Sequence, residues 1–338
     1  MQLPPYRAPR WLVGGHAQTI YPALLLRPTE PAMRRENWTT PDGDEIAVDW
    51  LGDRAQTPGG APLVAMFHGL EGSSRSHYAL AMFHQLLAIG WQGVVPHFRG
   101  CGGLPNRRPR AYHAGDSDEI GWMLGRLRAV HAGPLFVVGV SLGGNALAKW
   151  LGEQGAAARL LVNGAAVVSS PLDLVAAGSV LDRGFNRRVY TRNFLRTLRP
   201  KTLQHLQRFS EDLARLNVDP QEIQRASTFR EFDDRVTAPL HGFRNVDDYW
   251  VRASGKPWLR HIEVPTLVIN ARNDPFLPEH ALPSPADVSA QVTLLQPAQG
   301  GHVGFVDGGF PGRIDWLPRC LLTFFQAHAD DQRRSEYG

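Results

Sequence analysis

The feature that most constrains this chain is a pentapeptide, Gly139-Val140-Ser141-Leu142-Gly143, set between the apolar run LFVVGV and a helix-like stretch beginning GNALAKW. A serine on a sharp strand-to-helix turn projects its hydroxyl above a sheet. The nearby glycines let adjacent backbone pass without a Cβ collision. A helix starting behind the turn favours negative charge that develops at that end. The pentapeptide spacing is common in itself; its place after a strand and before a helix gives it meaning.

The rest of the chain keeps the same rhythm. Short apolar runs recur at 62–67, 93–98, 134–140, 165–170, 265–270 and 292–297. Most are continuous, as expected for strands buried on both faces of a parallel sheet. Helix-length segments stand at 76–89, 117–131, 144–153 and 316–328, and Asp116 with Glu119 has capping-box spacing at the second. Ahead of them, 36–51 reads as a hairpin around Pro41-Asp42-Gly43-Asp44. The first 30 residues, rich in proline, read as an irregular lead-in. Alternating strands and helices predict an α/β fold with a mostly parallel central sheet flanked by helices. The alternation breaks over 175–258, a helical-looking, charged stretch. It is expected to be a cap inserted over the carboxyl edge of the sheet, leaving 1–174 and 259–338 as the core. The alternative is a long crossover on the far side.

A serine hydroxyl is a weak nucleophile, so a base and an orienting acid must follow it, and this architecture orders them Ser, acid, His. Asp274 lies just past the run at 265–270, and His302 sits in the glycine-flanked loop just past the run at 292–297. Open α/β sheets place their chemistry at such positions. Asp173, just past the run at 165–170, is a rival acid; His280 and His328 follow no strand. Two backbone N–H groups are expected to face the oxyanion, on Leu142 and on Leu70 in the loop after VAMF. His68, ahead of a glycine turn, reads as structural. Arg99-Gly100-Cys101-Gly102-Gly103 has no phosphate-loop pattern and reads as loop shaping, with Cys101 a small loop residue.

Composition narrows the remaining classes. Of 338 residues, 43% are hydrophobic and 20% charged, which excludes disorder. Lys+Arg number 36 against 32 Asp+Glu, a net charge of +4, so no nucleic-acid partner is expected. Seven arginines and Lys201 crowd Asp182–Arg208 against one acid. Such a run is usually a solvated face, and weak contact with a membrane surface is its sharper reading. Two cysteines and 13 histidines without ligand spacing point to no metal and no cofactor. The first residues lack the apolar core of a signal peptide, and no run of about 18 apolar residues exists, so a cytoplasmic location is expected.

Together these segments resemble the YheT-type α/β-hydrolases, a group of predicted carboxylesterases within the esterase/lipase superfamily. The resemblance spreads over nearly the whole chain: Gly15-His16-Ala17-Gln18-Thr19, HGLEGSS at 68–74, HFRGCGG at 97–103, GVSLGGN at 139–145, SSPLDL at 169–174, FDDRVTAPLHGF at 232–243, NDPF at 273–276 and GGHVGF at 300–305. It implies a Ser141–Asp274–His302 triad, oxyanion positions at Leu70 and Leu142, and a cap within 175–258. The expected activity is hydrolysis of carboxylic esters of short- to medium-chain acyl groups, with a small-molecule ester as substrate. Acyl transfer to an alcohol shares the same intermediate, and a non-catalytic ligand-binding protein is the reading from another class. The expected assembly is a monomer or a small homo-oligomer.

Overall fold

Each apolar run forms a strand of one eight-stranded sheet. The structure, a computed structural model, describes residues 2–52, 60–214 and 218–337. The strands are β1 (Met33–Thr39), β2 (Glu45–Leu51), β3 (Leu63–Phe67), β4 (Gln92–Pro96), β5 (Leu135–Val140), β6 (Gly164–Val168), β7 (Thr266–Ile269) and β8 (Val292–Leu295). Their spatial order is β1-β2-β4-β3-β5-β6-β7-β8. The hairpin β1–β2 joins antiparallel at one edge, and from β4 onward every pairing is parallel.

The continuous runs hide a period of two. Leu63, Ala65 and Phe67 share one face with Leu135, Val137, Ala165 and Val167. Val64 and Met66 share the other with Phe136, Val138, Ala166 and Val168. Successive Cβ atoms point to opposite faces, and here both faces are buried. The helices are α1 (Gly15–Leu25), α2 (His77–Ala88), α3 (Ser117–Val130), α4 (Leu142–Gln154), α5 (Leu174–Leu181), α6 (Arg192–Arg208), α7 (Val246–Ala253) and α8 (Trp316–Tyr337), with shorter turns between α6 and α7. Helices α3 and α4 cover the first face through Ile120, Leu124, Leu147 and Leu151. Helices α2 and α8 cover the second through Met82, Phe83, Leu321 and Phe325. Among the described residues no helix is long and apolar enough to cross a membrane.

Two expectations need correction. The lead-in is not irregular throughout: α1 runs from Gly15 to Leu25 despite Pro22. Proline lacks the N–H that would reach the carbonyl of Gln18, and the backbone of Gly304 packs directly on that free carbonyl. The capping box does not form either. Asp116 stands at the start of α3 with no side-chain cap. Its carboxylate pairs with Arg110 instead, and Glu119 accepts from Arg99 Nε at 2.8 Å. The Arg99 guanidinium also reaches Asp42 in the β1–β2 turn (2.9 Å) and Asp44 (3.3 Å). Buried charges claim partners from other elements, and that overrides the local cap.

Between β6 and β7 the chain is helical, carrying α5, α6, α7 and several short turns. Its own apolar cluster joins Leu195 of α6 to Ile223, Phe232 and Val236.

Candidate active site

Ser141 follows the last residue of β5 and precedes α4 with φ 53° and ψ −119°, a conformation that costs about 1–3 kcal/mol for a residue with a Cβ. The surroundings enforce it. Its N–H donates to Val168 O of β6 (2.9 Å), and its carbonyl accepts from Gly144 and Asn145 N–H. The glycines are needed because backbones touch: a Cβ at Gly139 would lie 2.6 Å from Gly144 Cα. One at Gly143 would lie 2.6 Å from the carbonyls of Phe67 and His68.

The acid and the imidazole arrive on separate loops. Asp274, past β7, is buried and accepts from the Phe276 N–H at 2.8 Å. His302, past β8, stands with Nδ1 at 2.9 Å from one carboxylate oxygen of Asp274 and 3.2 Å from the other. Its Nε2 lies 3.0 Å from Ser141 Oγ. An ionised carboxylate only accepts, so Asp274 selects the tautomer with the proton on Nδ1 and leaves Nε2 to accept from the serine. The Phe276 ring stacks on the imidazole, with centroids 3.9 Å apart and planes 16° apart. The structure thus brings together the three side chains singled out in the sequence. Asp173 caps α5, accepting from Ala176 N–H at 2.9 Å. His280 lies exposed in a short turn, and His328 bonds to the Phe324 carbonyl on α8.

Leu142 is the first residue of α4, so its N–H has no intrahelical acceptor. The Leu70 loop presses against the serine: a Cβ at Gly69 would lie 3.1 Å from Ser141 Cβ. Gly69 N–H donates to Tyr78 OH and Glu71 N–H to Tyr112 OH, each at 3.0 Å, while Leu70 lies between them with its side chain on a cavity shared with Ser141 and Leu142. His68 is fully buried, its Nδ1–H donating to Gly69 O (2.8 Å) and its Nε2 accepting from Phe98 N–H (3.3 Å). Burial, then the nearby His97, pushes it down to about 3. It shapes the loop and stays a neutral imidazole at neutral pH. Burial pushes the Cys101 thiol up to about 11, so it stays protonated. Among the described residues, no group of three or more His, Cys, Asp or Glu is placed to hold a metal ion.

The cavity beside Ser141 measures about 630 Å³, within the range of small-ligand sites. Leu174 and Leu181 of α5, Phe194 and Leu198 of α6, Phe229 and Phe276 give it an apolar wall. Lys201 of α6 crosses to the Leu70 loop, where its Nζ meets Glu71 Oε1 at 2.8 Å. Several residues around the site carried no chemical signal in the sequence: Gln18, Thr19, Tyr112, Ser169, Asn273 and Phe276 act through contacts between distant segments. The GHAQT run was visible as a shared segment, but its role was not.

Comparisons with known proteins agree with this architecture. The family model described as "alpha/beta hydrolase fold" matches residues 62–309. YheT of Escherichia coli (strain K12), a protein carrying an esterase name, is 37% identical over 317 residues, covering 92% of this chain and 91% of its own. The phospholipase ABHD3 of Mus musculus is 29% identical over 323 residues, covering 94% of this chain and 77% of its own. An esterase structure from Pyrococcus furiosus superposes with a TM-score of 0.54 at 14% identity, over 97% of this chain and 98% of that one. Est1E from Butyrivibrio proteoclasticus, solved with ferulic acid, gives 0.54 at 16% identity, over 87% and 98%. At such low identity the last two speak for the fold alone. The match of the family model over most of the chain, and the end-to-end similarity to YheT, make this chain a member of the α/β-hydrolase family, of the YheT type.

Proposed function

We propose that the protein is a serine carboxylic-ester hydrolase acting on small-molecule esters of short- to medium-chain acyl groups. One observation carries the reading: His302 bridges Ser141 and Asp274, with 3.0 Å on one side of the ring and 2.9 Å on the other. Ser141 Oγ attacks the ester carbonyl carbon while His302 Nε2 takes its proton. The negative charge moves to the carbonyl oxygen, where the Leu70 and Leu142 N–H groups donate to it. Collapse breaks the bond to the alcohol, which leaves with the proton from His302, and Ser141 holds the acyl group. Water, deprotonated by the same imidazole, repeats the sequence and releases the acid. Asp274 keeps the tautomer and stabilises the imidazolium without taking its proton.

The apolar wall supports an acyl site, since burying each methylene contributes about 0.8 kcal/mol. Residues 175–258 then act as a cap, supplying that wall from α5 and α6. The test is turnover of p-nitrophenyl acetate, butyrate and octanoate. Ser141→Ala is expected to lower kcat by about 10⁶ while folding normally. A fluorophosphonate probe is expected to label Ser141 and to leave the His302→Ala variant unlabelled. Wild-type turnover by Ser141→Ala would overturn the mechanism.

A further inference from the structure

The loop that carries His302 is not held by its own strand. Three successive backbone N–H groups are each taken by a side chain from elsewhere. Gly300 N–H donates to Gln18 Oε1 (2.9 Å), Gly301 N–H to Asn273 Oδ1 (3.0 Å) and His302 N–H to Thr19 Oγ1 (2.8 Å). Two acceptors sit on α1 and the third precedes Asp274. From these contacts we propose that Gln18, with Thr19 beside it, is the positioning residue that locks the loops of Asp274 and His302 into one register. The inference rests on the esterase reading and names what holds its acid–base pair in place.

The Gln18 carboxamide is fully buried, and every hydrogen-bonding site it has is filled. Nε2 donates to Leu12 O and to Gln299 Oε1, both at 2.8 Å. Oε1 accepts from Asn273 Nδ2 and from Gly300 N–H, both at 2.9 Å. Reversing the amide would turn its NH₂ toward the Gly300 N–H and its oxygen toward the Leu12 carbonyl, so the network fixes its orientation. One side chain therefore grips the residue before Asp274 and the residue two before His302. Thr19 completes the grip, donating to Gly15 O at 2.7 Å while it accepts from His302.

The packing explains the glycines around the imidazole. At φ 62°, a Cβ on Gly301 would lie 2.8 Å from the Thr19 nitrogen, and one on Gly304 would strike the Gln18 carbonyl. Gly15 in turn presses on the Asn273 carbonyl. These glycines allow contact with α1, and they leave the loop pliable without it. A pliable loop would let His302 drift from Ser141, and a misplacement of about 1 Å costs about 10² in rate.

The test compares Gln18→Ala, Gln18→Glu, Thr19→Val and Thr19→Ser on p-nitrophenyl butyrate, with kcat normalised to fluorophosphonate-titrated sites. Gln18→Ala is expected to lower kcat per titrated site by about 10², with KM within about twofold. Thr19→Val is expected to lower it about tenfold, and Thr19→Ser to restore it. Gln18→Glu, which can donate only when protonated and then to just one of Leu12 O and Gln299 Oε1, is expected to gain on wild type as pH falls from 8 to 5. The low-field proton resonance of the His302–Asp274 hydrogen bond is expected to shift or broaden in Gln18→Ala. Wild-type kcat per titrated site in Gln18→Ala, or in Thr19→Val should the first variant fail to fold, would overturn the proposal and leave the esterase reading intact. Should wild type neither turn over nor label, the esterase reading fails. The low-field resonance then decides positioning alone, an unchanged signal in Gln18→Ala, or in Thr19→Val, counting against it.

Discussion

The two flanks of Ser141 are made of different materials. On the imidazole side, buried Gln18, Thr19 and Ser169 and half-buried Asn273 hold backbone, each bonding to the loops of Asp274 or His302, Ser169 Oγ accepting from the Val303 N–H at 3.0 Å. On the cavity side, leucine and phenylalanine side chains from α5, α6 and Phe229 meet without direction. Under the proposed esterase reading, the difference follows from what each side would do. Proton transfer requires heavy atoms within a few tenths of an ångström, and only directional bonds fix a loop that well. A chain of methylenes has no orientation to read, so dispersion and desolvation suffice, and they tolerate variation.

That contrast can be broken from the imidazole side first. Asp274→Asn removes the acceptor that sets the tautomer and is expected to lower kcat by about 10⁴, with the fold kept, as read by ester turnover and circular dichroism. Gly301→Ala drives a methyl into the Gln18–Thr19 backbone at a positive φ. It is expected to lower kcat by about 10² with KM little changed. On the cavity side, Phe194→Ala is expected to raise KM for octanoate about tenfold and leave acetate turnover near wild type. If acetate suffers equally, the apolar wall also positions the reacting groups and the contrast dissolves.

The smallest effect concerns pH. Burial, the leading cause in each case, holds His68, His113 and His241 down to about 3 and His77 to about 4. The native state keeps them neutral while the unfolded chain binds protons below its ordinary value near 6.5. The unfolded state then binds more protons, so stability falls as pH drops from 6.5 toward 4. His113 and His241 line the cavity with ring centroids 4.4 Å apart, whereas His77 donates to the Val303 carbonyl beside His302. Replacing the cavity pair by phenylalanine is expected to flatten the fall in melting temperature with acid. A fall as steep as wild type's would place the acid-sensitive groups elsewhere.

Much of the fold and of the candidate triad could be read locally. Ser141 announces itself through its glycines, and Asp274 and His302 through their places after apolar runs, whose unbroken apolar character marks strands buried on both faces. Helix α1 escaped because Pro22 is a local signal against helix, which packing on Gly301 and Gly304 overrides. The Asp116–Glu119 pair misled because Arg110 in the preceding loop and Arg99, 20 residues ahead of Glu119, outcompete the capping hydrogen bonds.

The sequence by itself determined the strands, the strained turn at Ser141 and the order of the chemical residues, because each depends on neighbours along the chain. Only the tertiary structure decided that a glutamine near the start would grip two loops some 250 to 280 positions later, with Asn273 255 and Gly300 282 residues away. A carboxamide has no fixed role until four partners surround it, and burial is what makes satisfying them obligatory.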